Sequence, residues 1–427
     1  MSGSSHGAGH SCGAERDRTK ESSMVRSLPE DPLIRSLVLQ ARRAQLTRRG
    51  LLAGATAGAA ALALAACAPT NGGKPNPATD ISSTDKKLIW ANWPLYLDTD
   101  DKTSKHPTLE AFTKKTGIAV DYREDIDDNN TYYAKVKDQL ALGKDIGADI
   151  AVLTDWMASR WIRLGYTQDL DHSKIPNIKN LNPALLDIDY DKGRKNSLPW
   201  QGGFAGICWN KDKFPKGFRS VSEMFKEPEL KGRIEVLSEM RDTVGLIMLE
   251  QNVDISRSIE NFQFQNALDV LKKNVDDGVI RAVKGNSYTE DLVSGDALAA
   301  ICWSGDITAT NASNGDHWEF ALPDAGGTIW NDNMLIPVGS RHKANAEAVM
   351  NWYYDPEIAA EVAAYVNYIT PVEGAKEAAV KIDPELADNQ LIFPDADTLK
   401  KAHIFATLTP AQEQTFTAGF QKVLLGA

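Results

Sequence analysis

Beyond residue 66 the chain carries none of the common catalytic signatures: no Gly-x-x-x-x-Gly-Lys loop, no Gly-x-Gly-x-x-Gly after a strand-like run, no Gly-x-Ser-x-Gly. Phosphate cradling by a glycine-rich loop and acyl transfer from a nucleophile elbow are therefore not indicated. Metal chemistry is equally poorly served. His106, His172, His317, His342 and His403 are scattered without ligand spacing. Asp125-Ile126-Asp127-Asp128-Asn129 has the acidity of a calcium loop but neither its glycine nor its closing glutamate. No metal and no cofactor is expected. Basic charge is also short. Residues 1–66 hold nine Arg or Lys against five Asp or Glu, a net of +4, which leaves −15 on the rest of a −11 chain. Nucleic acid, which needs basic surface, is disfavoured, and approach of cations is favoured.

Cysteine is scarce, and two of the four fall in the first segment or at its end, Cys12 and Cys67. Cys208 and Cys302 remain, in twin Ile-Cys-Trp runs at 207–209 and 301–303. Two buried thiols suit this apolar setting better than a bridge, whose geometry is demanding. A single apolar run stands out, from Gly50 to Ala66; it follows Thr47-Arg48-Arg49 and closes in Leu64-Ala65-Ala66-Cys67. Basic residues, a short apolar stretch and small residues make an export signal over 1–66 rather than a permanent span. The paired arginines resemble a twin-arginine (Tat) signal and the last four residues a lipobox with Cys67 as the lipidated residue. Met24 offers a later start. A Gly/Pro/Ser/Thr-rich linker is expected over 67–84.

The body that follows alternates strands and helices. Strands are expected at 87–91, 118–122, 148–153, 204–209, 233–237 and 297–303. Helices are expected at 107–115, 131–142, 156–164, 221–225, 243–251, 259–274, 344–354, 356–366 and 410–425. This is an α/β pattern with a mainly parallel sheet. Open α/β sheets bind ligands beyond the carboxyl ends of strands. Those ends carry aromatic and acidic residues here: Trp93 and Tyr96, then Thr154-Asp155-Trp156, then Glu239 and Asp242, then Trp303 and Asp306. In Gly326–Pro337, two glycines precede a strand-like run in which Trp330 and Asp332 are two apart and so share a face. A π surface beside a carboxylate suits an organic cation. Each group alone could be a packed aromatic or an acid that complements a helix dipole, as Glu239 and Asp242 could with Ser238 as the N-cap. Together they describe a cleft. Aromatics with acids also line sugar sites, so a sugar receptor, a quaternary-amine receptor and an exported glycoside hydrolase are the alternatives.

At these residues the chain resembles the bacterial spermidine/putrescine-binding proteins, receptors of ABC importers. The resemblance spans about 88–423 and rests on several runs: Asn92-Trp93-x-x-Tyr96, Lys114-x-Thr116-Gly117-Ile118, Tyr133-Ala134-Lys135, Lys231-Gly232 and Phe393-Pro394-Asp395-Ala396. It implies a two-lobed periplasmic-binding-protein-like (type II) fold with a hinge. Lobe 1 would hold 85–202 and 332–376, lobe 2 203–331 and 377–427. It further implies aromatic walls from Trp93, Tyr96, Trp156, Trp303 and Trp330, a hydroxyl at Thr154, and amine-binding carboxylates at Glu239, Asp242 and Asp332. Asp306 resembles an acid of the putrescine-preferring branch; Leu95 lacks the acid that branch carries nearby, and Phe405 stands where spermidine receptors have an amide. The implied protein is a monomeric, lipid-anchored receptor on the outer face of the membrane or in the periplasm, partnered by permease subunits, and not an enzyme.

Overall fold

The computed structural model describes residues 74–100 and 102–425. The expected export signal and Cys67 lie outside them. The described part of the expected linker is not free: Ala78 N–H donates to Val338 O at 2.9 Å and Ile81 N–H to Arg341 O at 2.8 Å. Ser82 is buried there, its hydroxyl accepting from Asn345 N–H. With its donors satisfied by the body, this stretch is part of it.

The first third runs β1 (Lys87–Ala91), α1 (Pro107–Thr116), β2 (Ala119–Arg123), α2 (Asn129–Ala141), β3 (Ile150–Thr154) and α3 (Asp155–Leu164). Local signals set these boundaries. Pro107 opens α1 and Gly117, at φ 72°, closes it in the left-handed conformation glycine allows. Asp128 caps α2 through Thr131 N–H. A small hairpin, β4 (Asp187–Ile188) and β5 (Asp191–Lys192), precedes the long β6 (Ser197–Asn210). Next come α4 (Val221–Lys226), β7 (Ile234–Leu237), α5 (Met240–Glu250), α6 (Asn261–Asp276), β8 (Ile280–Lys284), α7 (Tyr288–Ser294), β9 (Ala299–Trp303) and α8 (Ser304–Asn314). The chain continues through β10 (Trp318–Ala321), β11 (Gly327–Leu335), α9 (Lys343–Tyr353), α10 (Pro356–Val366), α11 (Ala375–Ile382), α12 (Pro384–Asp388), α13 (Ala396–Leu399), β12 (Ala402–His403) and α14 (Pro410–Leu424).

One sheet passes through the molecule in the order β2-β1-β3-β11-β6-β9-β7-β8. Its flanks are parallel, β1 with β2 and β3, β7 with β8 and β9. Its centre is not: β11 is antiparallel to β3 and β6, and β6 to β9. The sheet is therefore mixed where a mainly parallel one was expected. The reason is that β6 and β11 each pass from one half of the molecule to the other, in opposite directions. Where they cross, Gly202 exchanges two backbone hydrogen bonds with Ile369 (2.8 and 2.7 Å). Cys208 and Cys302 lie on β6 and β9 as buried free thiols. The last helix, α14, is fixed by Phe416, which stacks on Phe264 of α6 at 3.9 Å with rings 1° from parallel. Burying that ring contributes about 1.5–3 kcal/mol, with about 1 more for the stack.

Candidate functional site

The strands of both flanks end at one cleft, whose empty space of roughly 520 Å³ is partly open to solvent. The loop after β1 supplies Trp93 and Tyr96; Leu95 between them sits at φ 57°, a left-handed turn that bends the chain back toward the cleft. Trp93 is held by its indole N–H, which donates to Val152 O at 3.0 Å. β3 supplies Thr154, whose hydroxyl accepts from Asn129. Glu239 caps α5 directly after β7, Asp242 lies in its first turn, and Asp306 lies in the first turn of α8 directly after β9. Helix N-termini carry partial positive charge, which makes these tolerable places for buried acids. Glu239, not Ser238, is the cap of α5; Ser238 instead donates to Asp128 at 3.2 Å, from α2 of the other flank.

β11 brings Trp330 and Asp332 to the same cleft, as their spacing predicts. Its register against β6 shifts between Asn331 and Asn333, while Asp332 stays paired with Thr154 of β3. A bulge of this kind re-aims a side chain at a strand crossing. Trp303 and Trp330 meet edge to face at 6.4 Å, and Trp330 meets Tyr368 at 5.3 Å. Nine of the ten expected site residues thus line one cleft. Trp156 does not. It faces the adjoining cavity, where the guanidinium of Arg241 lies 4.0 Å from its ring centre; that of Arg160, which does not line the cavity, lies 5.0 Å away.

Sequence reasoning missed Tyr368, which follows α10 in no regular element yet forms part of the cleft wall. The signal for it lay elsewhere. A Cβ on Gly203 or Gly305 would come within 2.7 or 2.6 Å of the Tyr368 ring, so these two glycines make its room. Asp127, Asp128, Asn129, Ser238 and Asn286 also line the cleft, where none of them was expected.

The acids are not equivalent. Asp306 is engaged on both oxygens, by Tyr368 (2.8 Å) and by Tyr288 (2.9 Å) and Asn286 (3.1 Å). Asp242 accepts from the Trp303 indole at 2.8 Å and from the Thr328 hydroxyl. Glu239 accepts from the Trp156 indole at 3.2 Å and lies 3.7 Å from Arg241. Asp332 is only 4% exposed, and its Oδ2 accepts from Tyr96 at 3.0 Å. Its Oδ1 is buried with no partner. Burial raises every one of these carboxyls: Asp332 and Glu239 to about 7, Asp306 to about 6, and Asp242 also upward. Arg241 opposes the rise at Glu239, and hydroxyl and indole donors oppose it at Asp306 and Asp242. Among the described residues no lysine or arginine lines the cleft. Such a site pairs unmet negative charge with aromatic faces, and a cation would relieve both the desolvation and the vacancy on Asp332.

Residues 108–391 match the bacterial extracellular solute-binding protein family. The chain belongs to that family. Among curated solute-binding proteins it is 28% identical over 322 residues to spermidine/putrescine-binding periplasmic protein 1 of Haemophilus influenzae, covering 75% of this chain and 86% of that one. It is 26% identical over 365 residues to the putrescine-binding periplasmic protein PotF of Escherichia coli K12, covering 81% and 93%. Among solved structures it is similar to the spermidine/putrescine ABC transporter substrate-binding protein PotD of Streptococcus pneumoniae. There the TM-score is 0.64 at 25% identity, over 80% of this chain and 99% of that one. The two-lobed solute-binding fold expected from the sequence is thereby established, as is the extracytoplasmic character of the family.

Proposed function

We propose that this solute-binding protein captures a polyamine, spermidine or putrescine, and delivers it to the permease of an ABC importer. The observation that carries this reading is the free, buried Oδ1 of Asp332 in a cleft walled by Trp93, Tyr96, Trp303 and Trp330. A polyamine has a thin alkyl chain, which indole faces can sandwich, and ammonium ends, which carboxylates can hold. A quaternary amine would need one aromatic box and one negative charge. Three buried acids, Asp242, Asp306 and Asp332, with Glu239 beside them, suit a ligand with more than one ammonium. The names of the relatives point to the same ligand class.

In this reading the ten residues Trp93, Tyr96, Thr154, Trp156, Glu239, Asp242, Trp303, Asp306, Trp330 and Asp332 form the site, with Trp156 acting from the adjoining cavity. The lobes, 85–202 with 332–376 and 203–331 with 377–427, hinge where β6 and β11 cross. The contacts between Ser238 and Asp128 and between Trp156 and Glu239 join residues of opposite lobes, as a closed state requires. The protein is exported by the signal at 1–66, anchored through a lipid on Cys67, works as a monomer and does no chemistry. Small-angle scattering tests the closure: putrescine or spermidine should compact the protein, and maltose should not. Scattering that no amine changes would contradict the reading.

A further inference from the structure

Helix α14 packs on one proposed lobe and bonds to the other. Phe416 stacks on Phe264 of α6, and Phe420 and Val423 are buried as well, which fixes the helix to lobe 2. Its first turn carries Glu413, only 9% exposed. Arg160 of α3 meets Glu413 at 2.9 Å and Arg163 of the same helix at 3.5 Å. Helix α3 is part of lobe 1, where its Trp161 is fully buried and stacks on Tyr132 of α2. The guanidinium of Arg160 lies 5.2 Å from the ring centre of Tyr133 and 5.0 Å from that of Trp156. Trp156 in turn meets lobe 2 twice. Arg241 lies 4.0 Å from its ring centre, and Glu239 accepts from its indole N–H at 3.2 Å. Arg241 completes the circuit at 3.6 Å from Glu413. The contacts thus run Arg160, Glu413, Arg241, Trp156 and back to Arg160, with two members from each lobe. None of the four lines the cleft.

We infer that this ring of contacts is a clasp that favours the closed arrangement of the lobes whether or not a ligand is bound, and that Trp156 acts on the ligand only through it. The inference rests on the hinged two-lobe reading above and not on which solute enters. A receptor whose binding-competent form is only partly populated binds every ligand more weakly by that fraction. A clasp raises the fraction, so it adds affinity without adding selectivity. Glu413 matters most to it, because it stands among three guanidiniums at low exposure, where their charges are poorly screened. Without Glu413, Arg160 and Arg163 of one lobe face Arg241 of the other as like charges, with Glu239 still beside Arg241.

The test combines small-angle scattering without ligand and calorimetric titration with putrescine and spermidine. It compares the wild type, Glu413→Gln, Arg160→Met and the double variant; Met keeps an unbranched apolar stem against Tyr133 and Trp156. Glu413→Gln should be more expanded than the wild type without ligand and match it at saturating putrescine. Its affinity for both amines should fall by one common factor, about tenfold. Arg160→Met should lose less. The double variant should be no weaker than Glu413→Gln alone, because the two groups removed bond to each other. Equal scattering without ligand, a loss confined to one amine, or losses that multiply in the double variant would overturn the clasp and leave polyamine capture standing. If neither amine binds the wild type, the polyamine reading falls and scattering without ligand decides the clasp. Should Glu413→Gln fail to fold, Arg160→Met decides by the same readouts.

Discussion

Asp332→Asn should weaken polyamine binding by about 10- to 100-fold, the worth of one hydrogen bond to a charged group at about 1.5–3 kcal/mol. The substitution keeps the size of the side chain and its link to Tyr96, and removes only the charge that Oδ1 offers. It should also act on the empty protein in the opposite direction. A carboxyl that burial raises to about 7 holds its proton longer when folded than when unfolded, where it titrates near 3.9. The folded state therefore binds more protons between about pH 4 and pH 7, and Asp332 lowers stability as pH rises through that window. At neutral pH the penalty amounts to at most about 4 kcal/mol, of which the amide, itself buried, recovers part. A higher melting temperature without ligand combined with lost binding is the expected signature, read by thermal unfolding and titration on one preparation. Unchanged affinity would remove Asp332 from the site.

Affinity should rise with pH, by about tenfold per unit between pH 5.5 and 7, and level off near pH 8. Amine ligands keep their protons until about pH 10, so the change lies in the protein. Asp332 titrates at about 7 and Asp306 at about 6, both raised by burial, so at pH 6 Asp332 is mostly neutral. An arriving ammonium favours its ionised form, and about one proton should leave per ligand bound near pH 6. Titration in two buffers of different ionisation heat counts that proton. Affinity that is flat from pH 5.5 to 8, with no proton released, would mean that the buried acids do not hold the ligand.

The sequence shows the cleft more clearly than the sheet around it. Trp330 and Asp332 could be paired by strand alternation, and Glu239, Asp242 and Asp306 by their position just after strands, because both rules are local. Of the 14-residue β6 only 204–209 was legible, because Pro199 and Gly202-Gly203 interrupt the strand pattern. Those glycines are there because other chain comes close: Trp330 and Asn331 at Gly202, and Trp330 and Tyr368 at Gly203. That is a tertiary reason with no local trace. Tyr368 was hidden for the same cause. The periodicity of α10 ends before it, and it meets Asp306 where the next residue, Ile369, bridges to Gly202. Trp156 shows the limit of reasoning by residue type. Its aromatic face is real, but Arg241, one residue before Asp242, covers it, and position after a strand had directed attention to Glu239 and Asp242 alone.

Titration calorimetry of the protein with putrescine and spermidine, with glycine betaine and maltose as controls, tests the central claim most directly. One-to-one binding of a polyamine, weakened by salt and absent with maltose, is the predicted result. Heat with betaine alone would keep the aromatic walls and discard the multi-ammonium ligand. No heat with any cation, or heat with maltose, would contradict the account.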